Sequence, residues 1–191
     1  RTANARRGLM SKETFDIIFS KIKSHAELIC LYNWGEPFLN KNILYIFSVC
    51  AKHNIHSHID SNLTLRDFSD EEAEAIVKSG ISSIFASIDG VTQETYEKYR
   101  VHGSLSRALN NLQQLVRAKE RLHMKTPELG WAFYIHRFNE HEVPKAKELA
   151  DSLGVNIWFK LLSADLEWQS SLHNQWSEIL AVPKWVNKAY P

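Results

Sequence analysis

Four short stretches of this 191-residue chain carry side chains that could hold a polar ligand. They are Gly35-Glu36-Pro37, Ser61-Asn62, Ser87-Ile88-Asp89-Gly90 and Ile135-His136-Arg137-Phe138-Asn139. Each follows an apolar run with the character of a strand. In the first, Glu27–Tyr32 is the strand, Gly35 permits a sharp turn, and Pro37 fixes the exit direction of the chain. A carboxylate, Glu36, is thereby held on a stiff turn at a strand's C-terminal end. Together the four stretches offer a carboxylate, two hydroxyls, amides and carbonyls. Such a set suits a ligand with an ammonium group, a ribose and a heterocycle. Each stretch also has a plain structural reading, because Ser, Asn, Asp and Gly are common turn residues.

What decides between these readings is whether the four strand ends share one side of one sheet. The apolar periodicity predicts a helix through Phe15, Ile18, Phe19 and Ile22, capped by Ser11 with Thr14 in its first turn. After the first strand come a helix from about Asn40 to Lys52, a strand Ile55–Asp60, and a helix capped by Ser69 that stops at Gly80. A strand Ile81–Ile88, a helix opened by Thr92, and a longer helix from Leu105 to about Arg121 follow. Then come a strand Leu129–Ile135, a helix capped by Asn139 and ended by Gly154, and a last strand Val155–Leu161. Strict helix–strand alternation specifies a parallel sheet with outside crossovers, an α/β fold whose ligand sites lie at the strands' C-terminal ends. Because a helix comes first, the pattern implies a strand upstream of Arg1. From Ser163 the pattern changes: Trp168, Trp176 and Trp185, with Leu172, Ile179 and Val182, read as a helical or extended segment packing on the sheet. The domain division is 1–162 and 163–191.

Composition narrows the function classes. A net charge of +1 gives no reason to expect a nucleic-acid or membrane surface. No apolar run is long enough to cross a bilayer, and no signal peptide is visible. The two cysteines, Cys30 in a strand and Cys50 in a helix, read as small buried hydrophobes and fit a reducing, cytoplasmic setting. The nine histidines, including His53, His56, His58, His136 and His141, fall in no zinc spacing, and no metal ligand is assigned within the chain. The start at Arg1 and the stop at Tyr190-Pro191 read as a piece of a longer protein.

The motifs, taken in order, resemble the radical S-adenosylmethionine enzymes. The resemblance rests on Gly35-Glu36-Pro37-Phe38-Leu39, on Ser61-Asn62, on Ser87-Ile88-Asp89-Gly90 with Thr92, Tyr96 and Arg100, on Asn139-Glu140-His141-Glu142, and on Arg6-Arg7-Gly8-Leu9-Met10 at the start. It covers residues from about 6 to 160 and is nearest to the subgroup with a C-terminal SPASM or twitch extension. It implies a partial (β/α)6 parallel barrel of which strands two to six are present. It also implies S-adenosylmethionine and a [4Fe–4S] cluster as cofactors, with possible auxiliary clusters. The cluster's CxxxCxxC loop is absent and would precede Arg1, so its ligands lie outside the chain.

By the same resemblance, Glu36 accepts from the amino group of S-adenosylmethionine, and Arg100 faces its carboxylate. Ser61 and Asn62 lie beside the methionyl or ribose portion, Ser87 bonds ribose or methionyl, and Asp89 shapes its turn. Adenine rests near Tyr134, His136 or Phe159. The implied activity is formation of a 5′-deoxyadenosyl radical that abstracts hydrogen from a peptide, protein or small-molecule substrate, with electrons from an external donor. Two other readings stay open. One is a non-catalytic nucleoside- or protein-binding barrel that has lost its cluster. The other is a phosphate-binding barrel, which the lack of a Gly-rich phosphate loop disfavours.

Overall fold

The computed structural model describes residues 8–33, 35–162, 167–172 and 175–176. Five strands form one parallel sheet: β1 (Leu28–Cys30), β2 (His56–Ser61), β3 (Ser83–Ser87), β4 (Glu128–Ile135) and β5 (Asn156–Leu161). Their order across the sheet is their order in the chain. The helices are α1 (Lys12–Ile22), α2 (Ile43–Lys52), α3 (Asp70–Lys78), α4 (Gln93–Tyr99), α5 (Leu105–Arg121) and α6 (Val143–Ser152). Sequential order with helical crossovers is the arrangement of a (β/α) barrel wall, and it aligns every strand's C-terminal end on one rim.

Period-two alternation sorts the strand residues onto two faces. Ile59, Ile84, Ala86, Leu129, Trp131, Phe133 and Ile135 point into the main core. There they meet Phe47 of α2, Ile76 and Val77 of α3, and Leu112 and Leu115 of α5. The buried Trp131 indole N–H donates to the Ile88 carbonyl at 2.6 Å, so burying this ring leaves no polar group unpaired. A second cluster joins Phe15 and Phe19 of α1 to Ile46 and Cys50 of α2. Three helices start where sequence placed their caps, the hydroxyls of Ser11, Ser69 and Thr92 each accepting a first-turn N–H; Ser104 caps α5 in the same way.

The expected boundaries shift most at the first crossover, and a 3-10 turn at Glu140–Glu142 likewise delays α6 to Val143. The first strand is confined to Leu28–Cys30, and a 3-10 turn at Pro37–Leu39 separates it from α2, which starts at Ile43 rather than Asn40. Cys50 is buried as expected, but Cys30 is exposed, because β1 is the outermost strand and pairs only with β2. Among the described residues no helix is long and apolar enough to cross a membrane. Trp34, Trp185, Ile179 and Val182 lie outside the described residues.

The opposite face of the sheet carries His58, Asp60, Ser83, Phe85, Ser87, Gly130, Ala132, Tyr134, Trp158 and Lys160, set side by side by the pairing register. Trp158 lies across Gly130 and stacks on Phe85 at 4.3 Å. A methyl on Gly130 would occupy the space of the indole carbons. Gly130→Ala is therefore expected to cost about 1–3 kcal/mol, the usual penalty of overpacking. Trp158→Leu in the same chain should return part of that loss. Urea unfolding of the two single variants and the double variant measures both, and strict additivity would show that the indole does not depend on the glycine.

Candidate functional site

The site begins at the turn after β1. Glu36 caps the 3-10 turn, accepting the Phe38 N–H at 3.1 Å through Oε1. The same oxygen accepts the Ser61 hydroxyl at 2.7 Å, and Oε2 accepts the Asn62 N–H at 2.9 Å. Ser61 and Asn62 sit at the end of β2, so this carboxylate ties the first rim segment to the second. An ionised carboxylate offers about four acceptor positions. Three are used here, and Oε2 keeps one for a ligand.

Asn62 then links to the third strand end. Its Oδ1 accepts from Arg100 Nη1 at 2.8 Å, and Arg100 Nε donates to Asp89 Oδ2 at 2.6 Å. Asp89 is fully enclosed, and its other oxygen accepts the Tyr134 N–H at 2.7 Å, which reaches the fourth strand end. Burial pushes the Asp89 carboxyl up from its ordinary value, while Arg100 and the Tyr134 amide favour its ionised form and oppose that rise. Gly90 follows because a Cβ there would press on the Tyr96 backbone, and the close approach lets α4 deliver Arg100 over the rim. Arg100 keeps Nη2 free among the described residues. Ser87 is nearly enclosed beside it, and its hydroxyl has no partner among them.

Tyr96 completes this group. Its hydroxyl is buried without a hydrogen-bond partner. Burial first pushes the phenol up to about 12, Arg100 opposes this, and Asp89 and Glu36 add to it. With no exposure and a place in the main core, Tyr96 supports the turn that carries Arg100 and has no open side towards a ligand.

Two residues that closing the rim requires had only a weak sequence signal. Glu142, nearly buried, accepts the Val91 N–H and the Thr92 hydroxyl, each at 2.8 Å, and so pins the turn after β3 to the segment after β4. Asn139 was expected to cap a helix, but its side chain makes no capping bond. Its amide instead donates to the Asp89 and Tyr134 carbonyls and accepts the His136 N–H. The Asn139-Glu140-His141-Glu142 run was the only hint of either role.

The remaining expected residues divide. Tyr134 is half-buried on the open face, with Lys160 Nζ 5.6 Å from its ring centroid. Phe159 is corrected: alternation turns it to the helix side, 5.6 Å from Phe133, away from Tyr134. His136 is fully enclosed among Tyr99, Phe138 and Trp168, at 5.4–6.1 Å between ring centroids. Its Nδ1 accepts the Phe138 N–H, and its Nε2 has no partner. Trp168 is clipped there by the Arg137 N–H on its carbonyl, and Glu140 accepts the Ser170 and Ser171 hydroxyls.

Burial lowers the His136 pKa to about 4, against an ordinary value of 6.5. The unfolded chain therefore binds the proton more readily, and the neutral ring contributes stability that is complete above pH 6.5. That contribution is lost as pH falls towards 4, by about 2–3 kcal/mol. Urea midpoints at pH 7 and pH 4.5 should differ less in His136→Leu than in the unaltered chain. Asp89→Asn leaves Arg100 without its partner and is expected to cost about 3 kcal/mol at pH 7 in the same assay.

Solved structures share the fold at low identity. TYW1 with a lysine–pyruvate adduct aligns at a TM-score of 0.63 and 16% identity, over 93% of this chain and 62% of that one. SuiB of Streptococcus suis, bound to S-adenosylmethionine, aligns at 0.67 and 9%, over 98% of this chain and 43% of that one. A domain of pyruvate-formate lyase-activating enzyme from Bacteroides vulgatus aligns at 0.59 and 16%, over 80% and 92%. The chain thus spans less than two thirds of TYW1 and of SuiB. A search of curated protein sequences finds no match. The Radical SAM superfamily profile matches residues 4–128, well over half the chain, and with the rim built from the motifs above it establishes that the chain belongs to the radical S-adenosylmethionine superfamily, whose members are enzymes.

Proposed function

We propose that the chain is the S-adenosylmethionine-binding part of a radical enzyme, with the methionyl end of the ligand held across Glu36, Asn62, Ser87 and Arg100. The observation that carries this reading is the rim's incomplete hydrogen bonding. Among the described residues Glu36 has an open acceptor position, Arg100 a free Nη2 and Ser87 an unused hydroxyl. An α-amino acid group needs that pairing: an acceptor for its ammonium and a planar donor for its carboxylate. Ser61 acts by holding Glu36, and Asp89 by holding Arg100. Tyr134, half-buried on the open face, marks the adenine end, and the enclosed His136 supports the segment behind it.

The described residues do not themselves fit an iron–sulfur cluster. They contain no group of three or more His, Cys, Asp or Glu side chains that could hold a metal, and Cys30 and Cys50 lie on β1 and in α2. We assign the cluster ligands to a CxxxCxxC loop outside these residues. Together the two cofactors supply a 5′-deoxyadenosyl radical, with electrons from an external donor. The protein's own part is to fix the sulfonium and exclude water.

The outer edge of β1 belongs to the same reading. It borders a groove of about 500 Å³ lined by Met10, Ile18, Ile22, Ile29, Cys30 and Leu31. A further parallel strand there would satisfy the unpaired backbone and cover this apolar surface. Peptide or protein is the substrate class we favour, since SuiB, of the same fold, has been solved with its precursor peptide. A post-barrel extension over 163–191 that leads towards a SPASM or twitch region is part of the proposal.

The test uses the full-length protein reconstituted anaerobically with iron and sulfide. Glu36→Ala should weaken S-adenosylmethionine binding at least about tenfold in calorimetric titration, the usual loss for one charge-assisted bond. Release of 5′-deoxyadenosine after dithionite should fall in parallel. Unaltered affinity in that variant would remove Glu36 from the ligand site.

A further inference from the structure

Arg100 is held by more than its hydrogen bonds. Its Nε and Nη1 donate to Asp89 and Asn62, which fixes edges of the guanidinium but not its face. On the face side, Cζ lies 5.2 Å from the ring centroid of Tyr99, the last residue of α4. At that distance a guanidinium is attracted by the quadrupole of the ring. Adjacency in sequence does not by itself hold the ring there, because a tyrosine side chain has several staggered rotamers to choose from. Tyr99 is half-buried, and its ring meets His136 at 5.5 Å and Trp168 at 5.8 Å between centroids. Aromatic pairs at such separations attract one another, so these two rings select the Tyr99 rotamer.

Of the two, His136 belongs to the sheet, whereas Trp168 comes from beyond β5, the last strand. The indole is nevertheless fastened to the rim. Its own carbonyl accepts the Arg137 N–H at 3.1 Å. Two and three residues further on, the hydroxyls of Ser170, which is buried, and Ser171 donate to Glu140. Phe138 packs on the indole at 5.1 Å, with Lys98 Nζ 4.6 Å from the Phe138 centroid. The segment 167–172 therefore straps the end of α4 to the turn after β4, and Tyr99 is the residue that touches both the strap and the guanidinium.

We propose that Trp168 is a positioning residue for Arg100: anchored through Arg137 and Glu140, it fixes the Tyr99 ring, and the ring fixes the plane in which Arg100 presents its free Nη2 to the ligand's carboxylate. The inference rests on the reading of Arg100 as the carboxylate's partner and extends the grip on the ligand to chain that follows the sheet. Removal of the indole leaves the bonds to Asp89 and Asn62 in place but releases the ring behind the guanidinium. The loss then falls on the carboxylate and not on the ammonium, which Glu36 accepts at the far side of the rim.

The test uses the full-length protein reconstituted anaerobically with iron and sulfide. It is titrated calorimetrically with S-adenosylmethionine and with the decarboxylated analogue, which keeps the ammonium and the sulfonium but has no carboxylate. The ratio of the two affinities isolates the carboxylate's share. Trp168→Ala should lower that ratio about threefold, the worth of one partly exposed cation–π contact, and Trp168→Phe should restore most of it. Tyr99→Leu leaves every bond of the strap in place and should lower the ratio as far, so it carries the test where Trp168→Ala does not fold. An unchanged ratio in Tyr99→Leu, or an equal loss of both ligands in Trp168→Ala, would overturn the proposal. Arg100→Lys, which removes the planar fork, tests the rim reading separately. A ratio lowered by Arg100→Lys but not by the two aromatic variants overturns this proposal alone. A ratio that Arg100→Lys leaves unmoved takes Arg100 from the carboxylate, and both readings fall.

Discussion

The enclosed ion pair of Asp89 with Arg100 is the constraint on which the rest of the rim depends. A carboxylate with no exposure is costly unless its lone pairs are taken up, and here a guanidinium and a backbone N–H take them. Each of those bonds also fixes something else. The guanidinium is brought across to Asn62, whose own backbone N–H donates to Glu36. The Tyr134 amide fixes where β4 ends relative to β3. One buried charge thus sets the positions of four crossovers that sequence separates by up to a hundred residues. The cost of burying it is met by interactions that are all local to the ligand rim, so the rim is stiff where a ligand must be gripped.

Much of this was legible beforehand because the signals were short-range. Alternating periodicity gave five helix–strand units, and Ser11, Ser69 and Thr92 marked helix starts through the N–H groups they accept. Glu36, Asn62 and Asp89 were legible as rim residues because each sits at a strand end, whereas Arg100, a helix length further on, came only from the family resemblance. What failed depended on neighbours that sequence does not name. Cys30 reads as buried in any apolar run, and only the strand order reveals it at an edge. Phe159 has the composition of a ligand wall, yet one step of pleat sends it to the helices. Asn139 has the type and place of a cap, but the Asp89 and Tyr134 carbonyls compete for its amide and win.

The two faces of the sheet also differ in what they tolerate. On the helix side the strand residues are mostly aliphatic or aromatic: the Trp131 indole N–H is satisfied by a backbone carbonyl and Ser61 donates to Glu36, while the buried Ser57 hydroxyl has no partner among the described residues. On the other side, within the same strands, stand His58, Asp60, Ser83, Ser87, Tyr134 and Lys160. A sheet that needed only to fold would gain by making both faces apolar, as parallel sheets covered on both sides do. Keeping a polar and aromatic set in register across four strands forgoes that stability.

The forgone stability is also unevenly spread. Towards the rim the polar groups bond to one another and leave single positions open, as suits a ligand whose ends differ in charge. Below the rim the polar groups close on one another instead: His58 meets Asp60 at 3.0 Å through Nε2 and Ser83 at 2.8 Å through Nδ1.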